Sequence, residues 1–232
     1  MTTPQYLKTN FADYFGVLPE LLEEHGAFNI SLINDLPLFI DPFLLFNSKN
    51  PEYRKLHDEM IQYLQFLRKK SAAGGLGKGL IEAWYRFPEV RQNWLGFSKT
   101  GNRGSGLGSD FARELDENLH LVFSDFGSEK VTNGSHIEKL CLFSDGVGRD
   151  HISDFTTNLI KHFLLEYTQS FAMEHIHPSL RRSQRVSRVR FNSQLKLGKP
   201  THMSFPILNE ISSYLRLRTF SPKTKRGLIV QI

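Results

Sequence analysis

Residues 137–176, IEKLCLFSDGVGRDHISDFTTNLIKHFLLEYTQSFAMEHI, constrain the fold more than any other stretch of this chain. The apolar run at 137–143 predicts a strand. The loop after it is acidic and contains glycine, with Asp145 and Asp150. A long helix is then expected to start at Ser153-Asp154 and to run over about 154–175. Its evidence is that Phe155, Leu159, Ile160, Phe163, Leu164, Tyr167 and Phe171 recur at helical spacing. His177-Pro178 ends it. A strand that feeds a helix through a short loop points to an α/β (α+β mixed) fold, a small sheet packed by several helices. The expected organisation is one domain over 1–197, the N-terminal portion of a larger protein.

Residues 27–46 read as strand-like, interrupted by turns at Asp35-Leu36-Pro37 and Asp41-Pro42. A helix follows, with Asn50 as N-cap and Pro51 in the first helical position. Tyr53, Leu56, Met60, Tyr63, Leu64 and Leu67 form its apolar stripe, and Arg68-Lys69-Lys70 suit the negative end of its dipole. The glycine-rich stretches 71–79 and 98–109 read as mobile connections. Short helices are expected at 80–87 and 88–95 and a longer one at about 110–123. An alternating strand is expected at 186–191. Trp84, Phe87 and Trp94 are assigned to core packing.

Nineteen phenylalanines in 232 residues favour a packed aromatic core over disorder. No apolar run approaches the roughly 20 residues of a membrane-spanning helix. Cys141 is the only cysteine and sits in an apolar run, so it reads as a buried thiol. With no secretory signal visible, these features suggest the cytoplasm. The net charge of +5 is unevenly spread: residues 181–232 carry 12 Lys/Arg and one acid, and the remainder is acidic.

Asp150, Asp154 and Asn158 are the candidate catalytic residues. Residues four apart share a helix face. Asp150 and Asp154 at the loop–helix junction could hold Mg²⁺, which binds through one or two carboxylates together with water and phosphate oxygens. Such an ion could assist phosphodiester hydrolysis. Arg149, Arg181, Arg182, Arg185 and Arg188 would then contact nucleic-acid phosphates. The same residues also admit a simpler reading, in which Ser153 and Asp154 cap a helix, Asp145-Gly146 is a turn and Asn158 is solvated. The glycine loops match neither a P-loop nor a dinucleotide fingerprint, since Gly79 follows Gly77-Lys78 where Ser or Thr is needed. A general-base role for His151 is conceivable, but a surface or capping histidine fits its position better.

The run 147–158 (VGRDHISDFTTN), with 35–47 (DLPLFIDPFLLFN) and 164–169 (LLEYTQ), resembles a motif set of an uncharacterised family of bacterial proteins. The resemblance covers about 25–197 and implies a setting in phage defence or mobile elements. The family pattern continues toward an LLTPxDxxxxDxTWIN element, absent here. A shifted frame with permissible codons turns 210–218 into NLILLTP and 219–232 into something close to that element. The expectation is that residues 198–232 are an out-of-frame tail that packs poorly. Two functions from different classes follow: a metal-dependent nuclease or nucleic-acid-processing component, and a non-catalytic sensor or assembly module.

Overall fold

The computed structural model describes residues 10–32, 38–88, 90, 108–122 and 149–186; Leu38, Arg149, Asp150, Gln184, Arg185, 201–208, 211–212 and 229–231 are described by backbone alone. The helices are α1 (Phe11–Phe15), α2 (Pro19–His25), α3 (Pro42–Phe46), α4 (Pro51–Ala73), α5 (Lys78–Trp84), α6 (Ser109–Val122), α7 (Arg149–Leu159) and α8 (Lys161–His175). The strands are β1 (Leu38–Ile40), β2 (Arg181–Val186), β3 (Thr201–Leu208), β4 (Ile211–Ser212) and β5 (Ile229–Gln231).

The expected α/β arrangement is overturned. Helix dominates the described residues, and the strands among them are short. Strand pairing is limited to short antiparallel ladders, β1 with β5, β2 with β3 and β3 with β4, and no sheet forms a layer beneath the helices among the described residues. One cause lies at 41–46. Asp41-Pro42 is an N-cap and first helical position, not a turn, and the Phe43 amide donates to Asp41 Oδ1 at 2.8 Å. Strand β2 covers Arg181–Val186, and the rest of the alternating strand expected at 186–191 lies outside the described residues. The strand expected at 137–143, with Cys141 and Asp145, and the helix at 88–95 apart from Pro88 and Val90 lie outside the described residues.

Helix α4 follows the sequence reading closely. Asn50 Oδ1 accepts from the Glu52 amide at 2.9 Å, and Tyr53, Leu56, Met60, Tyr63, Leu64 and Leu67 are all buried. The helix runs past Lys70 to Ala73, and Gly74 ends it at φ 62°, a conformation that costs glycine little.

The single helix expected over 154–175 is two helices. It starts four residues before Ser153, so Ser153 and Asp154 lie in its second turn and cap nothing. It breaks at Ile160 (φ −96°, ψ 13°) without a proline. Just upstream, two side chains donate to carbonyls one turn back: Thr156 Oγ1 to Ile152 O at 2.7 Å and Asn158 Nδ2 to Asp154 O at 2.8 Å. Such back-bonding competes with the helical ladder and bends helices.

Two apolar clusters form the interior, and α8 joins them. The larger is built from α4, α5, α6, α7 and the first half of α8, and Phe87 and Phe155 meet at its centre with ring centroids 4.4 Å apart. The smaller packs Phe11, Phe15, Leu22, Ala27, Ile30 and Leu32 onto Phe171, Ala172 and Ile176. Complete burial of a side chain such as Phe155 contributes on the order of 1.5–3 kcal/mol.

Candidate functional site

The backbone of α7 sets Asp150, Asp154 and Asn158 at successive four-residue steps on one helix face, and Lys161 and His162 follow at the start of α8. The face is buried. Ser153, Asp154, Thr156, Thr157, Asn158, Lys161 and His162 are all at most 9% exposed. Burial of so many polar groups is tolerable only when they are bonded.

Several of these bonds run to backbone. Asn158 Nδ2 donates to Pro88 O at 2.7 Å, across 70 residues of sequence, as well as to Asp154 O. Ser153 Oγ accepts from the Ile40 amide of β1 at 2.9 Å. Asn158 therefore clasps α7 to the chain following α5, and Ser153 clasps it to β1. The expected solvated Asn158 and capping Ser153 are both corrected. Asp154 is buried and has a partner, as do Thr157, Lys161 and His162. The side chain of Asp150 lies outside the described residues.

The basic residues divide in the same way. Arg181 Nη1 donates to Ala172 O at 3.2 Å and to Met173 O at 3.0 Å, so its guanidinium satisfies carbonyls in the last turn of α8. Arg182 is exposed. The side chains of Arg149 and Arg185, and all of Arg188, lie outside the described residues.

Other polar contacts were not read from sequence. His162 Nε2 lies 3.5 Å from Glu59 Oε2, joining α8 to α4. Ser71 Oγ and His120 Nδ1 are 2.9 Å apart at the ends of α4 and α6. One turn back, Tyr85 donates its hydroxyl to Leu67 O at 2.7 Å, and burial pushes the Asp116 carboxyl above its ordinary value. The two helices thus advance in step, Leu67 level with Asp116 and Ser71 level with His120. The spacing of Ser71 and His120 in sequence held no sign of this, because their meeting depends on how α4 and α6 pack. No group of three or more His, Cys, Asp or Glu side chains able to hold a metal occurs among the described residues, and none of the described helices is long and apolar enough to cross a membrane.

These features define a helical protein with a buried polar face on α7 and α8. The chain belongs to the family Domain of unknown function (DUF8370), whose model matches residues 16–215. The match runs through 198–215, the first part of the segment expected to be out of frame. No curated protein and no solved structure matches the chain.

Proposed function

We propose that this chain is a non-catalytic sensor or assembly module, and that the polar residues of the VGRDHISDFTTN run serve its fold. The observation that carries this reading is the double commitment of Asn158 Nδ2 to Pro88 O and Asp154 O. An amide spent on two carbonyls has no donor left for a substrate. Ser153 and Arg181 support the same reading, since each satisfies backbone groups of a neighbouring segment. A cytoplasmic setting fits a chain with one cysteine.

The second reading is a metal-dependent nuclease, in which Asp150 and Asp154 hold Mg²⁺ and Arg149, Arg182, Arg185 and Arg188 meet phosphates. It is favoured by the four-residue step from Asp150 to Asp154 on α7. Calorimetric titration with Mn²⁺ and Mg²⁺, beside cleavage assays on single- and double-stranded DNA and RNA, separates the two. The module reading expects no saturable metal binding and no cleavage. Stoichiometric binding with cleavage, both lost in Asp154→Asn, would replace it with the nuclease.

A further inference from the structure

The smaller apolar cluster is fastened to α8 by a reciprocal contact. Tyr167 Oη donates to His25 O at 2.7 Å, and His25 Nε2 lies 3.1 Å from Tyr167 O. A carbonyl only accepts, so the neutral His25 ring carries its proton on Nε2 and is free to take a second on Nδ1. The two rings lie 4.2 Å apart, and His25 also meets Phe171 at 5.1 Å. Phe171 also meets His175, with ring centroids 4.8 Å apart. Two imidazoles thus contact one buried phenylalanine. The Schellman-type turn at Gly26 (φ 78°) holds His25 at the end of α2, with the Gly26 amide donating to Glu23 O and Leu22 O.

We propose that His25 and His175 form an acid-sensitive latch that holds residues 10–32 on α8, and that protonation releases this segment and uncovers Phe171, Ala172 and Ile176. Burial lowers the His25 pKa most. The bond to Tyr167 O opposes that shift, the charge of a protonated His175 adds to it, and Glu174 opposes it. The groups facing His25 from α8 are Tyr167, Glu174 and His175. Of these, Glu174 is largely exposed, and its Oε2 is 3.7 Å from His175 Nε2. From α1 the neighbouring side chains of the cluster are apolar apart from the Tyr14 phenol. On α2 itself Glu23 and Glu24 are exposed. Acidification therefore charges His25 beside Phe171, where the His175 charge opposes it and the exposed Glu174 carboxylate is the nearby compensation. The inference stands on the docking of α2 against α8 and does not depend on the role of α7.

Amide hydrogen exchange on the whole chain at pH 7.5 and pH 5.0, corrected for intrinsic exchange, tests it. The latch requires a severalfold loss of protection at pH 5.0 across 11–32 and in the last two turns of α8, with α4 retaining its protection as internal reference. His57 in α4 is also a buried histidine, so a parallel loss in α4 would mean global acid unfolding and would overturn the latch. In His25→Gln the amide keeps a donor for Tyr167 O without titrating, and the pH-dependent loss should shrink. If that variant no longer protects 11–32 at pH 7.5, His175→Gln, at a more peripheral side chain, supplies the comparison and should also reduce the loss. Unchanged protection of 11–32 in the wild type at pH 5.0, or a loss undiminished in His175→Gln, overturns the proposal.

Discussion

Replacing Asn158 by Ala tests whether the α7 face holds the fold. The side chain is 2% exposed and its Nδ2 makes two bonds, at 2.7 and 2.8 Å. The two losses differ. Asp154 O keeps its helical N–H partner, so losing the side-chain donor there costs about 1 kcal/mol, the net worth of an ordinary hydrogen bond. Pro88 O, on a half-buried proline, loses its long-range partner, at about 1–3 kcal/mol to the extent that water does not replace it. Together the change should destabilise by about 2–4 kcal/mol, or about 4–16 °C in melting temperature for a chain of this size. Asn158→Asp should do at least as much harm, because it turns a carboxylate toward two carbonyl oxygens. Urea unfolding followed by circular dichroism reads both. A loss below about 0.5 kcal/mol for Asn158→Ala, the scale of a surface change, would refute the clasp and return Asn158 to the list of free polar groups.

Phe155→Ala removes a fully buried ring that packs on Phe87 and should cost about 3–5 kcal/mol by the same unfolding assay; a near-neutral result would mean the centre of the larger cluster is misplaced. Burial lowers the pKa of both His25 and His57 from the ordinary 6.5, so the unfolded chain binds more protons below that point. Their contribution to stability is complete above about pH 6.5 and is lost as the pH falls through the lower folded values. Urea midpoints from pH 8 to 5 should decline over that window, less steeply in His57→Gln. Arg181→Ala should reduce stability by about 0.5–1.5 kcal/mol, since it removes the side-chain donor from Met173 O and from Ala172 O, the latter keeping the Ile176 amide; lost nucleic-acid affinity at unchanged stability would contradict this assignment.

The sequence was most legible where one local rule acted alone. Asn50-Pro51 announced α4, and the spacing of its apolar residues marked the buried side. The same grammar at Asp41-Pro42 was misread, because the apolar residues around it also fit short strands and α3 is only five residues long. The apolar period over 155–171 located the α7–α8 side of the core but not the break at Ile160. That break coincides with side-chain donors on Thr156 and Asn158, which periodicity does not register. The polar motif was found, and its chemistry was the harder part. Carboxylates and amides at four-residue steps look alike whether they face water, a metal or a neighbouring carbonyl. Pro88 lies 70 residues from Asn158, and only tertiary packing brings them together.

The most direct measurement is metal-linked unfolding of the wild type and Asp154→Asn. A metal bound only by the folded state adds RT ln(1 + [M]/Kd), about 2.7 kcal/mol at a hundredfold excess over Kd. Urea unfolding is run in EDTA and in millimolar Mn²⁺. If the α7 face serves the fold, the wild type has the same midpoint in both, and Asp154→Asn is less stable by the same margin in each. A wild type stabilised by Mn²⁺ beside an Asp154→Asn variant indifferent to it would contradict a structural role and establish a metal site on α7.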